Sequence, residues 1–232
     1  MQTGRNGGFR NYHYHLLNDS EFIDKDQIEK RILYHFFKKF FDKLLSIIAI
    51  ILLIPVFIIV AILIKTDDPK GPIFYSQVRI GRNGQPFKMY KFRSMIVNAD
   101  KKLNILLKHN EIEGAMFKMK SDPRVTGIGK VIRRYSIDEL PQLLNVIKGD
   151  MALVGPRPPL KREVEKYTKY DKQRLLVIPG CTGLWQVSER NNVGFHEMVK
   201  LDIKYIVNAN LWLDIRILSK TIWIMIFPND AY

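Results

Sequence analysis

The stretch that most limits what this chain can fold into is Leu44 to Ile64, 21 consecutive residues without a charge. A helix of that length can cross the hydrocarbon core of a bilayer. Two features oppose a straight crossing. Pro55 sits near the middle and removes a helix hydrogen bond where no water can replace it. Lysines also flank both ends: Lys38, Lys39 and Lys43 before the run, Lys65 and Lys70 after it. A segment that crosses cannot keep both basic flanks on the cytoplasmic side. A helix that breaks at Pro55 and returns to the face it entered satisfies both constraints. Prolines also occur in ordinary spans, so these residues alone leave a straight crossing open. The run begins too far along the chain, and lacks the small-residue cleavage site, to read as a signal peptide.

The segment before it prepares that anchor. Residues 1–20 are polar and rich in Gly and Asn, and read as a mobile tail. His13 and His15 in it have no further metal-ligand spacing. From 21 to 43 the pattern turns helical, with Ile28, Ile32, Phe36, Phe37, Phe40 and Phe41 in one stripe and lysines mostly off it. A basic, aromatic-striped helix suits a membrane interface; a core-packing helix is the alternative. The chain is then expected to divide into the tail, an amphipathic anchor over 21–66 that is re-entrant if it breaks at Pro55, and a soluble domain over 67–232.

Charge narrows the partners. Lysine and arginine number 37 against 23 acidic residues, a net +14, which points to anions: nucleic acid, an anionic membrane face or phosphorylated substrates. The single cysteine, Cys181, cannot form an internal disulfide. It has no neighbouring histidine to activate it as a nucleophile.

Past Asp67-Asp68-Pro69 the expected fold is α+β and mostly helical. Ile73–Ile80 and Phe87–Phe92 flank Asn83-Gly84, a strong hairpin signal. Strand alternation places Met89, Lys91 and Arg93 on one face. Thr126 caps a helix whose apolar residues Ile128, Val131, Ile132 and Tyr135 keep helical spacing, leaving Arg133 and Arg134 off that face. The segment 98–119 reads as helix and loop without assignable chemistry. Residues 160–177 read as a solvated, charged surface helix. A strand is expected over Leu184–Val187, followed by helices over 195–207 and 211–227. The last of these is apolar and carries tryptophans that suit an interface.

The chemistry concentrates between Ser136 and Pro158. Asp138 and Glu139 are adjacent and precede Pro141, so they sit at or just inside the start of a short helix ending at Gly149. Met151–Val154 reads as a buried strand, stopped by Gly155-Pro156-Arg157-Pro158. Capping is the structural reading of the acidic pair: Asp138 as an N-cap, or Ser136 with Glu139 as a capping box. The neighbouring Arg133, Arg134 and Arg157 favour chemistry instead. Two carboxylates can hold a divalent cation, arginines can hold phosphates, and a carboxylate can form an acyl phosphate.

The run Asp138-Glu139-Leu140-Pro141-Gln142-Leu143-Leu144-Asn145-Val146-Ile147-Lys148-Gly149-Asp150-Met151-Ala152-Leu153-Val154-Gly155-Pro156-Arg157-Pro158 resembles the signature of the bacterial sugar transferases, the monotopic polyprenol-phosphate sugar-1-phosphate transferases. Lys91-Phe92-Arg93-Ser94-Met95 and Pro179-Gly180-Cys181-Thr182-Gly183-Leu184-Trp185-Gln186-Val187 resemble two more of its motifs, in the family's order. The resemblance covers about Phe36 to about Phe227. It implies a monotopic fold with a re-entrant helix-break-helix anchor and a catalytic domain on the cytoplasmic face of the bacterial inner membrane. It implies transfer of a sugar-1-phosphate from a UDP-sugar to polyprenol (undecaprenyl) phosphate, with release of UMP, at the start of surface polysaccharide or glycoconjugate assembly. Asp138 would be the nucleophile, Glu139 its acid/base partner, and both would help hold Mg²⁺. Lys91, Arg93, Arg133, Arg157 and Arg190 would bind substrate phosphates. The family usually has Gly where Glu189 stands, and a carboxylate there can draw Arg190 away from phosphate. From other classes, an inactive scaffold of the same fold and a membrane-tethered nucleic-acid-binding module remain as alternatives. Intact Asp138, Glu139 and Arg157 argue against the first. The lack of a recognised binding motif argues against the second.

Overall fold

The computed structural model describes residues 22–106, 108, 119, 121–188 and 194–227. The anchor is one continuous helix. A short helix α1 (Lys25–Glu29), capped by Asp24, leads into α2 (Ile32–Asp67), which spans 36 residues. At 1.5 Å per residue α2 is about 54 Å long, well over the ~30 Å of bilayer hydrocarbon. The amphipathic and apolar segments expected as separate elements are therefore one helix. Pro55 lies inside it and not between two helices.

One stripe of α2 faces protein and the rest does not. Asp42, Ser46, Val60 and Ile64 are buried, while Phe36, Leu52 and Ile59 are 66%, 72% and 56% exposed. Of the stripe expected from Ile28 to Phe41, Ile28 packs in the core while Ile32, Phe36, Phe37, Phe40 and Phe41 face outward, so core packing holds only at its first residue. So much apolar surface needs a non-aqueous neighbour, and α2 is long and apolar enough to enter a membrane.

Both ends of α2 rest on the same globular body, by different means. Near the N-terminus, Lys38 Nζ lies 2.9 Å from Asp214 Oδ2 and 3.4 Å from Asp42 Oδ2. Tyr34 donates to Asp214 Oδ2 at 3.0 Å, Tyr205 to Asp214 Oδ1 at 2.7 Å, and the Leu153 amide to Asp42 Oδ2 at 3.2 Å. Near the C-terminus the contact is apolar: Val60 and Ile64 cluster with Phe92 and Ile132. Arg93 closes that end, pairing with Asp68 and donating to the Ile64 and Asp68 carbonyls.

The hairpin forms as expected, with β1 (Phe74–Ile80) antiparallel to β2 (Pro86–Phe92). Asn83 and Gly84 both take positive φ at its tip, the conformation that favours this dipeptide. Helix α3 (Ala99–Leu106) follows. Thr126 accepts from the Gly129 amide and starts α4 (Gly127–Arg134). A 3₁₀ turn (Ile137–Glu139) leads to α5 (Gln142–Lys148), which Gly149 ends with φ 92°. Buried Asn145 ties α5 to the hairpin, accepting from the Tyr90 amide at 3.0 Å and donating to the Lys88 carbonyl at 2.7 Å.

Two expectations for the C-terminal half are corrected. The strand lies at Gly180–Thr182 (β4), parallel to β3 (Ala152–Val154), and Leu184–Ser188 is a helix, α7. The cause is backbone proximity: a Cβ added at Gly180 would lie 2.0 Å from the Gly155 amide nitrogen, so the glycine pair sets where the two strands meet. The expected surface helix over 160–177 is instead a short helix α6 (Lys161–Val164) and a 3₁₀ segment, Asp171–Leu176. Glu163, Asp171 and Arg174 are buried and not solvated, while Lys161, Glu165, Lys166, Lys169 and Lys172 are exposed. Helices α8 (Phe195–Asn208) and α9 (Leu211–Ile226) complete the fold. The core joins Met89, Val146, Met151 and Val154 to Leu184, Ile206, Leu213 and Ile217. The opposite face of α9 exposes Trp212, Ile215, Trp223 and Ile226. The architecture is mostly helical with two small sheets, compatible with a monotopic membrane anchor.

Candidate active site

The acidic pair occupies the 3₁₀ turn between α4 and α5. Ser136, at φ 55°, reverses the chain after α4 and makes no side-chain capping bond. Pro141 holds the N-cap position of α5. Neither Ser136 nor Asp138 caps, so the structural reading of this pair fails. Asp138 is also not at the mouth of a helix dipole. What sets its charge is burial.

Asp138 is 5% exposed, and among the described residues no side chain forms an ion pair with it. Its carboxyl is pushed up to about 6, chiefly by burial; Lys91 pulls it down, Glu139 pushes it up, and Arg133 and the Asp138 amide pull it down. Lys91 Nζ meanwhile sits 2.6 Å from Glu139 Oε1. Arg133 is aimed by Ser94, whose hydroxyl accepts from Arg133 Nε at 2.9 Å. Three separate sequence stretches therefore meet here: Lys91 and Ser94 from the hairpin and its exit, Arg133 from α4, and Asp138 with Glu139 from the turn. The arrangement is a buried carboxylate in reach of two cations and beside a second, clamped carboxylate. Such a group is ionised at neutral pH yet poorly solvated, a favourable state for a nucleophile.

The other expected residues lie elsewhere. Arg157 follows β3 and places Nη1 3.6 Å from Glu163 Oε2. Its carbonyl accepts from Arg174 Nη2 at 3.2 Å, and the Pro158 carbonyl accepts from Arg79 Nη1 at 3.1 Å. Arg174 is bound to Asp202 at 2.6 Å, both 1% exposed. Arg93 is engaged at the end of α2 and not beside Asp138, since β2 ends at Phe92 and strand alternation stops there. Arg190 lies outside the described residues, as does Glu189. Cys181 is half-buried, and burial drives its thiol well above its ordinary range, so it stays protonated. Arg79, Asn145, Arg174 and Asp202 were missed by sequence reasoning. For Arg79 a signal existed, because cross-strand register puts it on the same hairpin face as Lys91; for the Arg174–Asp202 pair there was none.

Among the described residues no group of three or more His, Cys, Asp or Glu side chains could hold a metal ion. The Mg²⁺ expected from the resemblance still fits what is present. Magnesium takes one or two carboxylates and completes its shell with phosphate and water, and Asp138 and Glu139 are adjacent carboxylates, Asp138 in ion-pair contact with no cation among the described residues. Asp138 and Glu139 would hold the ion, with Glu139 turning from Lys91 to do so.

Residues 33–228 match the family described as bacterial sugar transferase. The chain is 49% identical over 195 residues to the galactosyl transferase CpsE of Streptococcus agalactiae, covering 84% of this chain and 43% of that protein. It is 44% identical over 201 residues to the undecaprenyl-phosphate galactose phosphotransferase of Salmonella typhimurium, covering 85% and 42%. It is 44% identical over 199 residues to the exopolysaccharide production protein ExoY of Sinorhizobium fredii, covering 84% and 88%. The chain thus spans about two fifths of the first two proteins and most of the third.

Proposed function

We propose, for a chain that belongs to the bacterial sugar transferase family, that it moves a sugar-1-phosphate from a UDP-sugar to a polyprenol phosphate through a covalent intermediate on Asp138. The observation that carries this reading is the buried Asp138 carboxyl, free of any ion pair among the described residues, between Lys91 and Arg133. In the first step an Asp138 oxygen attacks the sugar-bearing phosphorus. The bond to the bridging oxygen breaks, and UMP leaves with the electron pair. In the second, an oxygen of polyprenol phosphate attacks the same phosphorus, releases Asp138 as a carboxylate and yields the lipid-linked diphosphosugar. Lys91 and Arg133 neutralise charge that grows on the phosphoryl oxygens. Clamped against Lys91, Glu139 orients that lysine and can exchange a proton with the acceptor. Mg²⁺, when bound, adds electrostatic screening between carboxylate and diphosphate.

The anchor suits a lipid acceptor. Both ends of α2 bind one globular body, through Asp214 at the start and through Phe92 and Ile132 at the end. A helix spanning the bilayer would part those ends by its full thickness, so the packing speaks against a full crossing; entry and return on the cytoplasmic face further requires α2 to bend at Pro55, where its hydrogen-bond ladder lacks a donor. Cysteines placed at Ser20 and Asn98 in a Cys181→Ser background should react alike with an impermeant thiol reagent on intact cells. Labelling of one site alone would exclude re-entry.

The reaction is tested with purified protein and a panel of UDP-sugars. Without lipid, UMP should appear about once per enzyme, and initial rates varying both substrates should give parallel lines. Intersecting lines, with UMP released only after lipid is added, would assign direct transfer in a ternary complex instead.

A further inference from the structure

Arg79 is a buried cation that the reaction outlined above does not use. It stands on β1 opposite Phe87, and Tyr75 on the same strand stands opposite Lys91. Residues two apart on a strand share a face, and directly opposed residues share it across the ladder. Arg79 and Lys91 therefore project from the same face of the hairpin, about four residues or ~13 Å apart along the strands.

The surroundings of Arg79 leave its charge uncompensated. It is 7% exposed. One Nη donates to the Pro158 carbonyl at 3.1 Å and the other to Gln77 Oε1 at 2.8 Å, both neutral acceptors. Its Nε is buried with no hydrogen-bond partner. A guanidinium carries five donors, so most of its capacity is unspent. Among the described residues no carboxylate lies within ion-pair distance. The nearby charges include a second guanidinium: burial first and then Arg157 hold Arg79 down to about 10, against Glu163 and Glu139. Arg174 offers the contrast: its Nε is also buried without a hydrogen-bond partner, but its charge is met by Asp202 at 2.6 Å. Two neighbouring guanidiniums, one lacking a counter-ion, form a place for an anion; charge-assisted bonds to phosphate are what such a pair makes best.

We propose that Arg79 is a further substrate-binding residue, which with Arg157 forms a second phosphate station for the phosphoryl group that does not bond to Asp138. This rests on the diphosphate-transfer reading above and deepens it. The reacting phosphorus lies by Asp138, Lys91 and Arg133. The second phosphate, whether the leaving nucleotide's or the acceptor lipid's, lies by Arg79 and Arg157. Arg79 and Lys91 share one face of the hairpin, so both stations open on that face and the long side chains close the ~13 Å between their strand positions.

The test is equilibrium binding to the full chain in lipid nanodiscs, with three probes: inorganic pyrophosphate, UDP and a short-chain polyprenol phosphate. Arg79→Lys and Arg79→Gln should each weaken pyrophosphate at least about tenfold, as expected for loss of a hydrogen bond to a charged group, while the ligand-free Tm stays near that of the unmodified chain. Parallel loss for UDP but not lipid phosphate assigns the station to the donor; the reverse assigns it to the acceptor. Should Arg79→Gln not fold, Arg79→Lys alone decides, since it keeps the charge and loses the fork. Unchanged pyrophosphate binding in Arg79→Lys, or a fall in ligand-free Tm with no change in affinity, would make Arg79 a structural clamp on the Pro158 loop and overturn the proposal. If Arg79-dependent pyrophosphate binding is found but no UDP-sugar releases UMP, the transfer reading fails and the station stands.

Discussion

Asp138 and Asp202 are both buried aspartates, 5% and 1% exposed, and burial pushes both carboxyls up to about 6. Their partners differ completely. Asp202 is locked to Arg174 at 2.6 Å, while Asp138 has cations near it and, among the described residues, none in ion-pair contact. A buried pair of this kind gains little net stability, yet it is costly to break from one side. A buried carboxylate without a pair costs stability outright. That cost persists at active sites, where an under-solvated charge is what the chemistry consumes. The same titration therefore marks a paired carboxylate in one place and one without an ion pair among the described residues in the other, and the pair distance tells them apart.

Mutation should separate the two regions sharply. Asp138→Asn is expected to lower UMP release by on the order of 10⁴-fold or more, as loss of a nucleophile does, while the Tm holds or rises because a buried charge becomes a neutral isostere. Activity above about one per cent in that variant would end the comparison, since Asp138 would then be no more reactive than Asp202.

At the other site the order reverses. Arg174→Met strands the Asp202 carboxylate and should cost about 3–5 kcal/mol; the Arg174→Met, Asp202→Leu double variant should recover most of it. Equal stability for the single and double variants, read from denaturant melts, would show that the pair is not the closed unit its geometry suggests.

Arg157 lies between the two regions, its carbonyl held by Arg174 and its guanidinium near Glu163. Arg157→Lys keeps the charge and loses the planar fork. Turnover should fall by on the order of 10²-fold, similar to losing an oxyanion donor, with the Tm barely changed. Near-normal kcat in both Arg157→Lys and Arg157→Ala would place Arg157 with the structural pair.

The smallest effect is on pH-dependent stability. Both aspartates have folded values near 6, above the ~3.9 of an unfolded chain. Between those values the native state holds more protons than the unfolded one, so their contribution is full below about pH 4, falls as pH rises, and levels off above about pH 6. Comparing Tm from pH 4 to 7 in the wild type and Asp138→Asn isolates one share of that slope. A slope unchanged by the substitution would mean that Asp138 is ionised throughout, and so better compensated than its surroundings indicate.

Much of this was legible in the chain. The 21-residue apolar run, the Asn83-Gly84 hairpin, the Thr126 cap and the adjacency of Asp138 to Glu139 are local signals. Periodicity and turn chemistry reach only a few residues, and within that range they were sufficient. They erred where a distant partner decided the outcome. Leu184–Val187 is apolar enough for a short strand, but the parallel partner of β3 is Gly180–Thr182, because two glycines let those backbones meet. Residues 160–177 look solvated until Arg174 finds Asp202 on α8.

The sequence by itself determined that this chain carries a long apolar helix, a hairpin bearing Lys91, and an acidic pair among arginines, since each is written in neighbouring residues. Tertiary structure alone decided which cations serve which acid. Lys91 reaches Glu139 across 48 residues and Arg133 reaches Ser94 across 39, while Arg93, expected beside Lys91, closes the end of α2. It also decided that Asp138 is buried and not a helix cap, and burial raises its carboxyl. Charge energies depend on distance and on exclusion of water, and neither is set until segments remote in the chain have packed.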